Sequence, residues 1–170
     1  VVHSQANRLS SAFVKERFAL KQKLSGQKEL EPRWRRCVAS TDESVGELLA
    51  QQYVAAKFDA DSKREAKALI QGIRGAMRAE LGVLPWMDAP TRTAAEDKLT
   101  RMNDKIGYPE RWKSYDFEVG ADFMANAVAS DTFELGRTLK KVGKPVDRDQ
   151  WQMTPPTINA YYDPSLNEMV

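Results

Sequence analysis

Apolar residues recur at steps of three and four along most of the chain, a spacing that gathers them on one face of an α-helix. Five stretches follow this pattern: 2–24, 40–56, 62–81, 88–106 and 121–142. Glycine, proline or aspartate residues separate most of the stretches, as expected where helices begin and end. The sequence therefore predicts a mainly α fold.

Capping residues mark three of the predicted helix starts. Ser40 and Ser62 each precede a glutamate by three positions, which fits the capping box, where each side chain bonds the other residue's unpaired backbone N–H. Asp88 is predicted to cap the fourth helix. The interval 27–36 is polar and contains a proline, so we predict a loop or a broken helix there.

The pattern changes after residue 150. Residues 158–162 favour a strand, Asp163-Pro164-Ser165 has the composition of a turn, and residues 168–170 are predicted to return as a second strand. We therefore predict a short C-terminal β-hairpin beside the helices.

One histidine and one cysteine limit the chemistry available within the 170 residues. A chain whose single histidine is His3 does not contain the HExxH zinc motif, which needs two imidazoles. A chain whose single cysteine is Cys37 forms no internal disulfide and no multi-cysteine metal site. We expect a solvated or capping role for His3. The sequence therefore predicts no catalytic and no metal-binding residues within this chain.

Charge and hydropathy argue against two further classes of protein. The 26 basic and 24 acidic side chains give a net charge of +2, which is too even for an electrostatic nucleic-acid binder despite the basic run Arg33-Trp34-Arg35-Arg36. No apolar run approaches the ~20 residues that a spanning helix needs, so we expect no transmembrane segment. The opening residues carry neither a signal-peptide pattern nor an initiator Met, and we interpret the chain as an excised or processed segment.

Four segments carry distinctive combinations of residues. They are PRWRRCV at 32–38, LPWMD at 84–88, IGYP at 106–109, and a C-terminal segment in which a W-x-M-x-P-P run at 151–156 precedes NAYY at 159–162 and NEMV at 167–170. In this order, the four segments resemble the neprilysin and endothelin-converting-enzyme family of zinc metallopeptidases. The resemblance covers roughly residues 32–170.

The resemblance implies that the chain has two parts. Residues 1–149 would belong to a helical domain that caps the active site, and residues 150–170 would form the first strands of a thermolysin-like catalytic domain. The zinc-binding helix with its HExxH motif, and the third carboxylate ligand, would follow after Val170. A chain of this kind would be inactive alone, and its partner would be the remainder of the same polypeptide.

The activity implied for the complete protein is that of a zinc-dependent metalloendopeptidase. It would hydrolyse peptide bonds in oligopeptides by metal-assisted hydrolysis, with zinc held by ligands outside this chain. The implied location is extracytoplasmic, whether secreted, periplasmic or surface-anchored. Cys37 resembles a position that is disulfide-bonded in animal members of the family, with its partner outside this chain; in a bacterial relative it would instead be a small buried hydrophobe.

The same resemblance identifies Asn159, Ala160 and Tyr161 as substrate-binding residues. Peptides bind such proteases as an added strand at a sheet edge. The Asn159 amide, which both donates and accepts, would bond the substrate backbone beside the scissile bond, and Ala160 would offer its carbonyl. Tyr161 would line the cleft with Tyr162 packed beneath it. The alternative is structural: a strand-edge or turn role for Asn159, and core packing for the tyrosines.

The residues alone are also compatible with a second class of function. A helical interaction or scaffold module, without enzyme activity, would use its amphipathic faces to bind a protein partner. Such a module would pair residues 158–170 completely within the chain, whereas the protease segment would leave a strand edge open.

Overall fold

The computed structural model describes residues 5–170 and contains, in that range, five α-helices and three short strands. The helices are α1 (Ser11–Ser25), α2 (Arg33–Lys57), α3 (Ala60–Val83), α4 (Ala89–Thr100) and α5 (Phe123–Leu139), and the strands are β1 (Asn103–Asp104), β2 (Tyr162–Asp163) and β3 (Glu168–Met169). The prediction of a mainly α fold with a short C-terminal β-hairpin is confirmed. His3 lies outside the described residues.

The first helix is shorter than predicted. Residues Ala6–Arg8 form a 3-10 helix, and the chain is extended at Ser10, with φ −61° and ψ 162°. Ser10 occupies the N-cap position, where serine is favoured and the backbone is not helical, so the apolar spacing from 2 to 24 does not mark one continuous helix. At its C-terminal end α1 stops at Gly26, whose φ of 70° suits glycine.

The second helix begins earlier than predicted. α2 starts directly after Pro32, whose carbonyl accepts the Arg36 N–H at 3.2 Å. Proline favours a helix start because its fixed φ suits the first turn and its missing N–H would be unpaired there. The predicted capping box at Ser40 is therefore wrong, since Ser40 lies inside α2. A kink at Val45, with φ −134° and ψ 39°, interrupts the helix where the predicted apolar stripe begins.

Aspartates cap the next two helices. Asp59 accepts the Ser62 N–H at 2.8 Å, so Ser62 lies in the first turn of α3 and is not the predicted cap. Asp88 accepts the Thr91 N–H at 2.8 Å, which confirms the predicted cap of α4. Hydrogen bonds from Ser62 lower the pKa of Asp59, as expected for a carboxylate at a helix N-terminus.

The fourth helix ends sooner than its apolar spacing indicates. α4 stops at Thr100, and the chain enters β1 at Asn103, so the predicted extension to Ile106 is wrong. The cause is strand pairing, because the Asn103 N–H donates to the Asn167 carbonyl at 2.9 Å and the Lys105 N–H donates to the Met169 carbonyl at 2.8 Å. A contact distant in sequence therefore overrides local helical spacing.

Much of the predicted buried face of α3 is exposed. Leu81 is buried, but Leu69, Ile73 and Met77, which follow one another at four-residue steps, are between 51% and 66% exposed. No other part of residues 5–170 covers this stripe. None of the helices in the described part of the chain has both the length and the hydropathy needed to cross a membrane.

Contacts divide the chain into two compact units. Unit 1 comprises the described residues up to Gly46 together with Lys113–Pro145. Unit 2 comprises Glu47–Trp112 and Val146–Val170, and therefore contains α3, α4 and all three strands. The C-terminal tail thus shares a compact unit with α3 and α4.

In unit 1, α5 is held by aromatic and ionic contacts. Phe133 lies against Tyr115 and Phe117, with ring centroids 5.1 and 5.9 Å away. The buried hydroxyl of Ser130 donates to the Ser44 carbonyl at 2.6 Å, which joins α5 to α2. Asp131 accepts from Arg8 at 2.8 Å.

In unit 2, the strands form one sheet in the order β1-β3-β2. β3 is central: it pairs with β1 in parallel and with β2 antiparallel. The turn between β2 and β3 contains Asn167 at a φ of 48°, and the Asn167 amide donates to the Lys98 carbonyl at 2.9 Å. β2 is therefore an edge strand.

A lysine cluster fixes the IGYP segment in unit 2. The Lys63 Nζ donates to the Tyr108 carbonyl at 2.8 Å and to Glu110 at 2.9 Å, and it lies 3.9 Å from the Tyr108 ring centroid. Lys67 reaches the same Glu110 oxygen at 3.0 Å. Gly107, with a φ of 80°, meets the Phe58 ring so closely that an added Cβ would lie 2.6 Å from it. Only glycine fits there.

We predict that Glu110 titrates well below the usual range. Hydrogen bonds from Lys63 and then Lys67 lower its pKa from 4.5 to about 2. Since the folded pKa is lowered, the contribution to stability is present above pH 4.5 and is lost as the pH falls toward 2. Because Glu110 is largely exposed, we expect this contribution to stay below about 1 kcal/mol.

An NMR titration of the Glu110 carboxyl carbon measures this pKa in the 170-residue chain. The substitutions Lys63→Met and Lys67→Met should each raise it toward 4.5, Lys63→Met by more. A Glu110 pKa near 4.5 in the unmodified chain would contradict the assigned geometry.

Candidate functional site

The segment with Asn159, Ala160 and Tyr161 leads directly into the edge strand β2. It therefore lies in unit 2, at the outer side of the three-stranded sheet. Tyr161 exchanges both backbone hydrogen bonds with Val170, at 3.2 and 3.0 Å. Pairing with β3 thus begins at Tyr161, and the predicted strand from 158 is shorter than expected.

Backbone alternation decides which groups face outward. In an antiparallel pair, a residue that bonds its partner is followed by one whose N–H and C=O point to the opposite edge. Tyr161 bonds Val170, so the backbone groups of Ala160 and Tyr162 face the outer edge of β2. The Ala160 carbonyl accepts no hydrogen bond from residues 5–170. It is therefore available to an added strand.

Asn159 is exposed and makes only local contacts. Its Oδ1 accepts the Ala160 N–H at 2.8 Å, and its own N–H donates to the Thr157 carbonyl at 3.0 Å. Within the described chain its Nδ2 donates to no acceptor. The preceding Ile158 is fully exposed. The local bond orients the Asn159 amide while its donor nitrogen faces solvent.

The two tyrosines point in opposite directions, as strand alternation requires. Tyr161 is half-buried, and its hydroxyl is buried without a hydrogen-bond partner among the described residues. Burial, and then the charges of Glu168 and Asp163, raise the pKa of Tyr161. Tyr162 is 42% exposed, so the expectation that Tyr162 packs beneath Tyr161 is wrong. The outward side chain is Tyr162.

Tyr162 is held at the surface by the turn and by α4. Its hydroxyl donates to Asn167 Oδ1 at 3.0 Å. The Lys98 Nζ lies 5.5 Å from its ring centroid, within range of a cation–π contact. These contacts fix the outer face of the hairpin.

A buried ion pair lies beneath the hairpin, and sequence reasoning missed it. The Lys105 Nζ lies 2.6 Å from Glu168 Oε2 and donates to the Gln150 carbonyl at 2.7 Å. Glu168 is fully buried and Lys105 is 5% exposed. The signal was that Lys105 directly precedes the IGYP motif and that Glu168 lies inside NEMV.

A second ion pair anchors β1 to the helices. Arg74 in α3 lies 2.5 Å from the Asp104 carboxylate in β1, and both side chains are largely buried. The same guanidinium donates to the Leu99 carbonyl at the end of α4. β1 therefore has a fixed position against α3 and α4.

The residues described do not fit a zinc ion. Nowhere in 5–170 do three His, Cys, Asp or Glu side chains come together as a potential metal site. A catalytic zinc needs three protein ligands of these types. Cys37 is exposed and has a free thiol, so the alternative of a small buried hydrophobe is wrong.

A family model described as "Peptidase family M13" matches residues 1–109, which is more than half of the chain. The chain belongs to peptidase family M13. Together with the relatives below, this confirms the resemblance to the neprilysin and endothelin-converting-enzyme family.

Relatives in family M13 extend the match to nearly the whole chain. An endothelin-converting enzyme homolog from Locusta migratoria is 37% identical over 178 aligned positions, which cover 99% of this chain and 24% of the relative. Endothelin-converting enzyme 1 from Rattus norvegicus is 35% identical, with 96% and 23% covered. The chain thus spans about a quarter of the length of these curated relatives.

Solved structures of M13 peptidases have the same fold. The inhibitor complex of the zinc metalloprotease Zmp1 from Mycobacterium tuberculosis superposes with a TM-score of 0.85 at 33% identity, and the match covers 99% of this chain and 26% of Zmp1. PepO from Lactobacillus rhamnosis superposes with a TM-score of 0.88 at 27% identity, covering 99% and 27%. The chain therefore has a fold known from solved structures of this family.

Proposed function

We propose that the chain is part of a zinc-dependent metalloendopeptidase that hydrolyses peptide bonds in oligopeptides. Membership of family M13 supports this, as does the zinc metalloprotease Zmp1, which matches almost the whole chain. The complete enzyme works outside the cytoplasm, as inferred from the family.

The proposed role of this segment is to align the substrate at the outer edge of β2. The open backbone edge at Ala160 is the observation that carries the proposal. A peptide added as a strand donates a backbone N–H to the Ala160 carbonyl and accepts from the Asn159 Nδ2. Tyr161 contributes through its backbone hydrogen bonds with Val170, which fix the direction of the strand. These contacts bind and orient the peptide.

The proposed domain boundary lies at residue 150. Residues 1–149 cap the active site in this proposal, and residues 150–170 begin the thermolysin-like catalytic domain. Hydrogen bonds between β1 and β3 cross this boundary, which gives the cap a direct connection to the substrate edge.

Zinc and the residues that carry out the chemistry belong, in this proposal, to the remainder of the polypeptide. The donor set of the described residues supports this, since it does not fit zinc. Neither proton transfer nor water activation is assigned to Asn159, Ala160 or Tyr161. The partners are peptide substrates and the rest of the same chain.

The alternative, a helical scaffold module without enzyme activity, has less support. It required residues 158–170 to be paired completely within the chain. The pairing instead covers Tyr161 onward and leaves 158–160 with an open outer edge.

In the full-length enzyme, Asn159→Ala should weaken peptide hydrolysis without loss of folding. A neutral hydrogen bond contributes about 0.5–1.5 kcal/mol, so kcat/KM should fall roughly 2- to 13-fold. Because Asn159 is exposed, the melting temperature should stay nearly constant. Steady-state kinetics and thermal unfolding measure the two quantities.

Ser165→Ala provides the matched control for this substitution. Ser165 is exposed at the turn of the same hairpin and uses only its backbone N–H, toward Asp163. The kcat/KM of the Ser165→Ala enzyme should equal that of the unmodified enzyme. Unchanged kinetics in Asn159→Ala would contradict the substrate role of the edge.

The 170-residue chain alone should not cleave peptides, with or without added zinc. The reason is that residues 5–170 bring together no set of three zinc ligands. Incubation of the purified chain with a fluorogenic peptide library and zinc tests this, with the full-length enzyme as positive control. Zinc-dependent cleavage that a chelator stops would refute the proposal that the zinc ligands lie in the remainder of the polypeptide.

A further inference from the structure

The buried pair of Lys105 and Glu168 joins residues 63 positions apart in sequence. Isolated charges are costly to bury. The conformation that pairs the two charges is therefore favoured over conformations that leave either charge buried and unpaired. Glu168 is fully buried, and its Oε2 lies 2.6 Å from the Lys105 Nζ. The pair therefore selects one placement of β3 against the segment that follows α4.

Lys105 makes three separate bonds, and two of them go to the central strand. Its backbone N–H donates to the Met169 carbonyl at 2.8 Å, and its Nζ bonds Glu168. The Nζ also donates to the Gln150 carbonyl, at 2.7 Å. One side chain thus connects β3 with the beginning of the tail that leads to Asn159.

The position of β3 determines which groups β2 presents outward. Met169 lies opposite Tyr162, and Val170 exchanges backbone hydrogen bonds with Tyr161. A shift of one residue in this register would turn the Ala160 carbonyl away from the outer edge. The register set at Glu168 is therefore transmitted to the edge two strands away from Lys105.

A second link connects Glu168 with the site. Glu168 Oε1 and the Tyr161 hydroxyl are both buried and have no hydrogen-bond partner among the residues described. After burial, the charge of Glu168 is the next cause of the raised pKa of Tyr161. The Tyr161 side chain therefore responds to the Glu168 carboxylate as well as to the backbone register.

We propose that Lys105 and Glu168 are positioning residues for the peptide substrate, because the pair fixes the register that presents Asn159 and Ala160 at the open edge. This inference rests on the proposed function. Neither residue touches the peptide. Each acts through β3 and the backbone bonds to Tyr161.

A double-mutant cycle in the full-length enzyme tests this proposal. Glu168→Gln should lower kcat/KM by about 10-fold or more, chiefly through a raised KM, because a misplaced edge binds the peptide poorly. Adding Asn159→Ala to Glu168→Gln should cost less than about 2-fold further, since residues that act through one element are not additive. Steady-state kinetics of the two single variants and the double variant complete the cycle.

Two controls separate positioning from general stability. Lys105→Met/Glu168→Gln removes both charges, which preserves folding more easily than one unpaired charge, and its cycle with Asn159→Ala should show the same non-additivity. Glu110→Gln makes the same chemical change at an exposed carboxylate of unit 2 and should leave kcat/KM unchanged. Thermal unfolding is recorded for every variant.

The outcomes are distinct for the two proposals. If Asn159→Ala alone changes nothing, the proposed function fails. If Asn159→Ala weakens hydrolysis but adds its full effect to Glu168→Gln, the pair acts on stability alone and the present inference is overturned. An unchanged KM in Glu168→Gln, or a protein that does not fold once both charges are removed, overturns it as well.

Discussion

The sheet in unit 2 depends on the ion pair between Lys105 and Glu168. Removing one partner of such a pair leaves an uncompensated buried charge, which typically costs about 3–5 kcal/mol, whereas removing both is often nearly neutral. The pair therefore contributes more to the choice of conformation than to net stability. Strands of two residues each have few hydrogen bonds of their own, and the fixed charge contact supplies the specificity they lack.

An open strand edge can align a peptide only if the backbone of the strand is held in a fixed position and direction. β3 is held from one side by β1, which Arg74 and Asp104 attach to α3, and from below by Lys105. β2 is held in turn by β3, and none of residues 5–170 pairs with its outer edge at Ala160. The same arrangement that stabilises the hairpin thus leaves one row of backbone groups free for a peptide. This is the physical basis of the proposed substrate alignment.

Local patterns predicted the helices and the cap at Asp88, because helix periodicity and capping are properties of neighbouring residues. They failed at Ser40, where Pro32 starts the helix earlier, and at Ile106, where pairing with a distant strand ends it. The stripe of Leu69, Ile73 and Met77 was predicted to be buried, yet periodicity shows only that a face is apolar and not what covers it. The Lys105–Glu168 contact joins residues 63 positions apart, so helix periodicity and capping could not predict it.

Asn159 was identified through resemblance to a family and not through spacing, so its role requires direct observation. A structure of the full-length enzyme with a bound peptide inhibitor is the most direct measurement. The account predicts that the peptide backbone runs along β2, with a peptide N–H about 3 Å from the Ala160 carbonyl oxygen and a peptide carbonyl bonded to the Asn159 Nδ2. A peptide bound away from this edge, with both groups unbonded, would contradict it.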